Sequence, residues 1–287
     1  MSSRDVLLAT CSWFPLGEPG GKLLVEELAA RGIASRWVCW DDPEVDWAAA
    51  PLVAARSTWD YEARREEFLA WARAVPRLLN GAEVFAWNTD KAYLVALADR
   101  LPVVPTLLAD GEGELPAAIA TFGSAVVKPR VAAGGRGVVV FDGADDRPLG
   151  VDEGRLAAGP WVVQPLVRSV RTEGETSVFV VGGRAVAQVR KLPGGPDAAE
   201  IRVHETYGGR TDVVPVDDEA ADLAVRAVRL VEADLGAELD YARADLLRLD
   251  DGTLALSELE VTEPGLYLEE LPGNAAAFAD VVARRLT

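Results

Sequence analysis

The sequence is poor in cysteine, in histidine and in long apolar runs. Its 287 residues include only Cys11 and Cys39 as cysteines, which cannot build a disulfide framework or a four-cysteine zinc site. His204 is the single histidine, so a histidine-based nucleophilic triad would depend on that residue alone. No apolar run approaches the roughly 20 residues that a membrane-spanning helix needs, and the first residues lack the pattern of a signal peptide. We therefore expect a cytoplasmic protein with no membrane partner.

Positive charge is also scarce. The chain has 29 lysines and arginines against 46 aspartates and glutamates, which gives a formal net charge of −17. Because proteins that bind nucleic acid generally carry a basic surface, we expect no nucleic-acid partner. The acidic balance itself is explained by solubility. It also means that any anionic ligand must be held by a local cluster of lysines and arginines.

The first part of the chain has the order strand, helix, strand. A chain of this length suits two or three subdomains. Strands are predicted at residues 5–10, 33–40 and 51–56 with a helix at 22–31, which argues for a parallel sheet with a crossover helix. Asn88, Thr89 and Asp90 form a helix-start pattern, which predicts a helix from Asn88 to Arg100.

The remainder predicts further strands, two long helices and a loop. Gly182 and Gly183 between two apolar runs are a strong hairpin signal. Residues 193–199 are rich in proline, glycine and alanine and should form a mobile loop. The predicted strands are 124–128, 138–141, 161–164, 176–181, 185–191, 242–249 and 253–261, and the predicted helices are 217–235 and 274–285.

A glycine-rich segment follows Lys128, which ends a predicted strand. Small residues from Ala132 to Gly137 let backbone amides approach an anion closely, and Lys128 can supply a point charge. The segment is not a P-loop, because no Gly-Lys-Ser/Thr follows and a strand comes next. Taken alone, it indicates either a phosphate-binding loop or a glycine-rich hairpin with a solvated lysine.

Three carboxylates are predicted to share one face of the last two strands. Glu258 and Glu260 are two residues apart, so strand alternation puts both on one face. A turn at 250–252 would bring Asp245 beside them. Oxygen-only ligands suit Mg²⁺, which usually shares its coordination shell with nucleotide phosphates and water. The alternative is an acidic strand that faces solvent.

The phosphate segment and the carboxylates, in this order, resemble the ATP-grasp superfamily from about Trp87 onward. The resemblance implies an α/β (α+β) chain with an ATP-grasp fold and an N-terminal parallel-sheet pre-ATP-grasp domain. It divides the chain into an N-terminal domain at 1–87, a central lid subdomain at 88–165 and a C-terminal subdomain with the metal site at 166–287. It also implies ATP and Mg²⁺, with two ions expected and Mn²⁺ as an alternative metal.

The resemblance assigns roles to individual residues. Asp245, Glu258 and Glu260 match the metal ligands, and Arg202 resembles the arginine that binds the transferring phosphate. Many members have Glu-x-Asn where this chain has Glu258-Leu259-Glu260, and a second glutamate can still bind Mg²⁺. The nucleotide is expected to contact two lysines, the glycine loop, a hinge and one of two glutamates: Lys91, Lys128, Gly134, Gly135, Gly137, Gln164, Leu166, Val167, and Glu173 or Glu175.

A narrower similarity joins three segments, 56–61, 87–91 and 258–264, to the ATP-grasp branch that contains the cyclo-ligase of cycloserine biosynthesis. Members activate a carboxylate as an acyl phosphate, so we expect a small-molecule carboxylate substrate and an amine-type nucleophile, with ring closure as one form. Arg190 and Lys191 could hold the substrate carboxylate or the γ-phosphate, although a surface basic pair explains them equally well. Arg56, Trp59, Tyr61 and His204 are the candidate substrate-binding residues.

Two other functions stay open at this point. A phosphotransferase on the same fold would use ATP without a ligation step. A catalytically silent nucleotide-binding protein is disfavoured by the intact set of charged residues. The sequence also allows a homodimer.

Overall fold

In the computed structural model, residues 5–142, 156–194 and 200–287 are described. Residues 195–199 of the predicted mobile loop lie outside these ranges. Among the helices within them, none has both the length and the apolar character to cross a bilayer.

The N-terminal part is built on a three-stranded parallel sheet, as the sequence predicted. The strand order is β2-β1-β3, and α1 crosses between β1 and β2. Leu7 and Ala9 on one face of β1 pack with the aromatic residues of α2 and α3, while Val6 and Leu8 on the other face pack with α1. The elements are β1 (Asp5–Thr10), α1 (Gly21–Ala30), β2 (Ala34–Cys39), β3 (Val53–Ser57), α2 (Arg65–Ala74) and α3 (Ala82–Asn88).

The predicted helix start at Asn88 is wrong. Helix α3 ends at Asn88, and the next helix, α4 (Tyr93–Leu97), begins five residues later. The Asn88 side chain cannot cap a helix because it bonds instead to the backbone of Leu259 and Val261, at 2.6 and 3.0 Å. Asp90 accepts hydrogen bonds from Arg130 at 2.7 and 2.8 Å. Asp90 also accepts from the Ala92 amide at 2.9 Å, so the local turn begins at Asp90, while Asn88 serves a tertiary contact instead.

The central part is a four-stranded antiparallel sheet with the order β4-β7-β5-β6. The loop between β5 and β6 is the glycine-rich segment after Lys128, so this turn joins two antiparallel neighbours. Helix α5, which the sequence pattern did not reveal, packs against the sheet. The elements are β4 (Leu107–Ala109), α5 (Leu115–Phe122), β5 (Ser124–Pro129), β6 (Val139–Asp142) and β7 (Trp161–Pro165).

The C-terminal part is a five-stranded antiparallel sheet with the order β10-β9-β8-β11-β12. Gly182 and Gly183 form the predicted hairpin turn between β8 and β9, with φ values of 57° and 74° that favour glycine. Helix α7 covers one face and is capped by the Asp217 side chain. The elements are α6 (Ser169–Thr172), β8 (Glu175–Val181), β9 (Arg184–Leu192), β10 (Arg210–Val214), α7 (Asp218–Leu235), β11 (Tyr241–Arg248), β12 (Leu254–Glu260) and α8 (Gly273–Arg285).

Two helices join the parts together. The C-terminal helix α8 packs against α1, and Phe278 is fully buried in the same core cluster as Leu8 and Leu24. Tyr93 and Leu94 of α4 pack with α7 and the C-terminal sheet. Helix α8 therefore shares a core with the N-terminal part and helix α4 shares one with the C-terminal sheet, while the central sheet has a core cluster of its own.

Candidate functional site

A cavity of about 650 Å³ opens where the three sheets approach one another. Its size falls within the range of about 300–1,000 Å³ that is typical of small-molecule sites. One end is apolar, the middle carries charged side chains of both signs, and the other end is walled by aromatic residues of the N-terminal part. The lining includes Phe14, Trp59, Tyr61, Lys91, Val104, Val126, Lys128, Gly134, Gly135, Gln164, Leu166, Val167, Glu175, Lys191, Arg202, His204, Leu247, Arg243, Asp245, Glu258, Glu260 and Glu263.

Strands β11 and β12 place three carboxylates on the cavity face of the C-terminal sheet. Asp245 lies directly opposite Glu258, and Arg243 lies opposite Glu260. Because side chains alternate along a strand, these four residues point to the same side, while Leu246 and Leu259 enter the core. The structure thus brings Asp245, Glu258 and Glu260 together in the cavity wall, toward the end of the hairpin that lies away from the turn.

Two basic side chains neutralise these carboxylates. Arg243 bonds to both oxygens of Asp245, at 3.0 and 2.8 Å, and to Glu260. The Lys91 ammonium lies 3.1 Å from a Glu258 oxygen and donates to the carbonyl oxygen of Ala132 at 2.6 Å. Lys91 therefore connects β12 to the glycine-rich loop.

The environment moves the pKa values of two of these carboxyl groups in opposite directions. Burial and the nearby carboxylates Asp245 and Glu258 raise the pKa of Glu260 to about 7, against the attraction of Arg243. Burial also acts to raise the pKa of Asp245, but the charges of Arg243 and Lys191 outweigh it and lower that pKa. Glu260 is thus the carboxylate of this face that most needs a further cation.

The donor set fits Mg²⁺ that is shared with a nucleotide. Within the described residues, no group of three or more His, Cys, Asp or Glu side chains forms a ready metal cage. Mg²⁺ does not need one, because it is usually held by one or two carboxylates together with substrate phosphates and water. Asp245, Glu258 and Glu260 supply oxygen donors only, which is the chemistry that Mg²⁺ prefers.

Lys128 projects from β5 into the middle of the cavity. Its ammonium makes no ion pair or hydrogen bond with the residues that the structure describes, and burial lowers its pKa against the attraction of Glu258 and Glu175. A partly buried lysine beside small residues is well placed to meet an anion. Arg202 approaches from the facing loop, where its guanidinium lies 3.5 Å from the centre of the Tyr207 ring and pairs with Glu200 at 2.8 Å.

The glycine-rich loop folds over the same region. Gly134, Gly135 and Gly137 have φ values of 60°, 71° and 70°, which side chains rarely adopt. Gly134 and Gly135 line the cavity. Gly137 lies beside it, packed so closely that a Cβ there would be 2.8 Å from Pro129. We therefore give Gly137 a structural role in the turn and leave ligand contact to the other two.

Glu62 fastens this loop to the N-terminal part. Its carboxylate accepts a hydrogen bond from the backbone of Ala133 at 2.8 Å and another from Arg136. Arg136 also donates to the Trp59 carbonyl oxygen at 2.9 Å. The loop is thereby held against the wall that carries Trp59 and Tyr61.

The apolar end of the cavity is formed around the strand end of β7. Gln164, Leu166 and Val167 line it, as the resemblance implied. The Gln164 amide donates to Thr106 at 3.0 Å, and the Leu166 backbone donates to Ser124 at 2.9 Å. The facing wall is apolar and includes Val104, Val126, Val138, Ile201 and Leu247. A flat aromatic ligand suits this slot.

The sequence offered Glu173 or Glu175 as a nucleotide contact, and Arg190 with Lys191 as a basic pair. The structure places one residue of each pair in the cavity wall and the other outside it. Glu175 and Lys191 line the cavity and pair at 2.6 Å, and Lys191 also lies 3.4 Å from Asp245. Arg190 is exposed and pairs with Asp212, because neighbouring residues of β9 point to opposite faces. Glu173 is exposed near Arg248, since it follows the short helix α6 rather than entering β8. Both fall outside the cavity.

Of the four candidate substrate-binding residues, three line the cavity and one does not. Trp59, Tyr61 and His204 line the cavity. Arg56 does not, because it is fully buried and its guanidinium bonds to Glu18 at 2.9 Å and to the Pro264 carbonyl oxygen at 2.6 Å. Arg56 therefore lies behind the residues that line the cavity and does not line it itself. His204 caps the turn that follows it, and burial lowers its pKa.

Comparisons with known proteins match this chain along almost its whole length. Residues 6–80 match the family of the N-terminal domain of D-cycloserine synthetase DcsG. Over 278 residues the chain is 31% identical to the cycloserine biosynthesis protein DcsG of Streptomyces lavendulae, covering 92% of each chain. The crystal structure of D-cycloserine synthetase DcsG superimposes with a TM-score of 0.84 at 28% identity, over 99% of this chain and 100% of that one. The chain belongs to the ATP-grasp ligases, in the family of DcsG.

A more distant structure shares the fold alone. The ATP-grasp ligase PsnB, solved with its minimal precursor, Mg and ADP, has a TM-score of 0.64 at 19% identity and covers 100% of this chain and 99% of that one. The family resemblance and the mixed α/β fold that the sequence indicated are confirmed. The protein is an ATP-dependent, ADP-forming ligase.

Sequence reasoning missed several residues that organise the site of this ATP-grasp ligase. Arg243 could have been found, because it lies two positions before Asp245 on the same strand face. Ser177 donates to Asp245 from the neighbouring strand, which only the register reveals. Glu263 lies within the matching segment 258–264 and Glu62 directly follows the segment 56–61, but the sequence analysis assigned a role to neither.

Proposed function

We propose that the protein activates a small-molecule carboxylate as an acyl phosphate, at the expense of ATP, for attack by an amine-type nucleophile. One observation carries this proposal: Lys128, Lys91 and the carboxylates of β11 and β12 line one cavity that also has a separate aromatic end. A nucleotide can therefore occupy the apolar and charged parts while a second small molecule meets its terminal phosphate.

The lining supports one orientation for ATP. The adenine enters the apolar slot beside Gln164, Leu166 and Val167, where backbone groups offer hydrogen bonds. The phosphates extend toward Lys128 and Lys91, beneath Gly134 and Gly135. Glu175 lies at the ribose or phosphate edge.

The metal belongs at the carboxylate face. Asp245, Glu258 and Glu260 would hold Mg²⁺, which supplies neutralisation of the phosphate charge when bound. Two ions and substitution by Mn²⁺ are part of this proposal, as are the division of the chain at residues 87 and 165, a cytoplasmic location and a homodimer.

The residues of the cavity would support two successive reactions, in which first ADP and then phosphate is displaced. The substrate carboxylate attacks the γ-phosphorus and ADP leaves, while Arg202 and Lys128 offset the charge on the phosphoryl oxygens. The amine then attacks the acyl carbon and phosphate leaves. Lys191 keeps Asp245 and Glu175 ionised and in place, because its ammonium pairs with both.

The similarity to DcsG over the whole chain favours a substrate related to cycloserine formation, with an intramolecular nucleophile that closes a ring. The aromatic end of the cavity, with Phe14 and Trp59, is small and suits such a compact molecule.

A screen of ADP release tests the proposal. Amino acids and their ureido and hydroxylamine derivatives are incubated with the protein, ATP and Mg²⁺, and the masses of the products are measured by mass spectrometry. We expect at least one carboxylate to release ADP and phosphate together with a dehydrated or ligated product. A stable phosphorylated product would instead indicate a phosphotransferase, and no carboxylate-dependent ADP release would contradict the proposal.

A further inference from the structure

Glu263 places an unpaired carboxylate in the cavity wall. The residue is only 8% exposed and lines the cavity. Among the residues that the structure describes, none donates a hydrogen bond to its carboxylate or forms an ion pair with it. Burial without a partner is costly for a carboxylate, and together with the nearby Glu260 it raises the pKa of Glu263 to about 8, so a cation that binds beside Glu263 would favour its ionised form.

Glu205, Glu269 and Glu270 also line the cavity but are exposed to solvent, whereas the other glutamates of this wall that are not exposed are paired. Glu18 bonds to Arg56 at 2.9 Å, Glu175 to Lys191 at 2.6 Å and Glu258 to Lys91 at 3.1 Å. Among the described residues of this wall, Glu263 therefore combines burial with the lack of a protein partner, and its partner is expected to be a ligand.

Aromatic rings surround the approach to Glu263. The Trp59 indole donates to the Glu263 carbonyl oxygen at 3.0 Å, and the ring lies against Gly265, where a Cβ would be 3.5 Å from it. Phe14 meets the Trp59 ring edge-on, with centroids 4.9 Å apart. Both rings line the cavity. The Trp59 ring edge thus meets the backbone at Glu263 and Gly265, and a cavity that is lined by aromatic rings as well as a carboxylate favours an organic cation, because the ring quadrupole attracts positive charge.

The segment that carries Glu263 is fixed at consecutive backbone positions. The Tyr241 hydroxyl donates to the Thr262 carbonyl oxygen at 2.9 Å, and Arg56 donates to that of Pro264 at 2.6 Å. The Leu266 amide donates to Glu18 at 2.7 Å. A binding group held this firmly before the ligand arrives loses little freedom on binding.

Glu263 is also near the reacting end of the cavity. Glu263 follows the end of β12 by three residues and lines the same cavity as Glu258, Glu260 and Lys91. A group bound by Glu263 is thus close to the carboxylates of β12 and to the place proposed for the terminal phosphate.

We propose that Glu263, beside the ring of Trp59, binds the ammonium group of the substrate and so selects amino acids over other carboxylic acids. This inference rests on the proposed function and adds to it a residue that decides specificity. The substrate is then a small molecule with a carboxylate to be activated and a protonated amine that Glu263 holds.

The test compares paired substrates with Glu263→Gln, which keeps the side chain's size and removes its charge. Amino acids and ureido amino acids are assayed for ADP release beside the 2-hydroxy acids that match them. We expect the wild type to prefer the amino acid, and Glu263→Gln to raise its KM at least about 10-fold while leaving the KM of the hydroxy acid unchanged. Glu66→Gln is the control, since that side chain is 86% exposed on α2 and loses the same charge.

The outcomes separate this inference from the proposed function. Equal use of both members of a pair by the wild type, or an unchanged ratio of KM values in Glu263→Gln, would overturn the ammonium site while the ligase proposal stands. Release of ADP from no carboxylate would refute the ligase proposal. In that case the ammonium site is tested by calorimetric titration of the same amino acids into the protein with ADP and Mg²⁺ present. Binding to the wild type that is lost in Glu263→Gln supports the ammonium site, and the absence of binding to the wild type refutes it.

Discussion

At the scale of single residues, the site works by balancing buried charges of opposite sign. Asp245 is held by Arg243 and by the more distant Lys191, and Ser177 donates to it from β8. Burial acts to lower the pKa of Lys191, but Asp245 and Glu175 outweigh it, so its pKa is raised and it stays charged. The positions of Asp245 and Glu175 therefore depend on basic side chains that do not themselves need to contact the substrate.

Replacing Lys191 should damage both stability and activity. Lys191→Ala leaves Glu175 and Asp245 buried without this cation, which should lower the free energy of unfolding by about 3–5 kcal/mol and stop ADP release. Arg190→Ala is the matched control, because Arg190 is the preceding residue of the same strand but is exposed, and its loss should change stability by no more than about 0.5 kcal/mol. Denaturant unfolding and ADP-release assays compare the two variants. Equal losses of unfolding free energy and of activity in both variants would contradict the placement of Lys191.

At the scale of elements, the last strand is held in place by side chains. Strand β12 is the outer strand of its sheet, and at Leu256 its outer edge pairs with the backbone of Pro102 and Val104 at 2.9 Å. Beyond that bridge, the described residues place no strand against this edge. Asn88 and Tyr93 bond to that edge instead: the Tyr93 hydroxyl accepts from the Leu259 amide at 2.9 Å and donates to its carbonyl at 3.0 Å. These bonds lie between Glu258 and Glu260, so they fix the direction of both carboxylates.

Removal of the Tyr93 hydroxyl tests this arrangement. Tyr93→Phe keeps the packing of the ring but leaves the buried Leu259 amide without a partner, which should cost about 1–3 kcal/mol of unfolding free energy. The Mg²⁺ requirement for half-maximal activity should rise, because Glu258 and Glu260 are less well fixed. Unfolding curves and Mg²⁺ titrations measure the two effects, and a variant with wild-type values in both would refute the role of Tyr93.

The glycine-rich loop depends on a contact from another part of the chain. Glu62→Gln weakens the bonds to Ala133 and Arg136 and should loosen the loop over the phosphates. We expect faster hydrogen–deuterium exchange at residues 132–137 and a higher KM for ATP. Glu67→Gln, from the exposed side of α2, is the control. Unchanged exchange in the Glu62 variant would show that the loop holds its position without this contact.

Sequence reasoning predicted the parts of these elements that have a local pattern. The alternation of Glu258 and Glu260, the two glycines of the hairpin and the strand that ends near Lys128 are all present. The helix start at Asn88 was wrong because its amide serves β12 instead, and strand β10 was missed because it is short, polar and partly exposed. Arg190 and Lys191 could not be separated until the face of β9 was known.

At the scale of the whole molecule, the cavity exists because three sheets meet. The N-terminal part supplies the aromatic wall, the central sheet supplies Lys128 and the hinge, and the C-terminal sheet supplies the carboxylates. Helix α8 packs in one core with α1 and β1, and helix α4 packs in another with α7 and the C-terminal sheet. No local pattern predicts this convergence, and the family resemblance was therefore needed to join motifs that were ambiguous when taken separately.

The most direct test of the account is the affinity for ATP measured by calorimetry with and without Mg²⁺. We predict that the wild type binds ATP more tightly with Mg²⁺, that Lys128→Ala weakens binding under both conditions, and that Glu258→Gln removes the gain that Mg²⁺ gives. If both variants bind ATP as the wild type does under both conditions, then Lys128 and the carboxylate face do not form one Mg²⁺–ATP site.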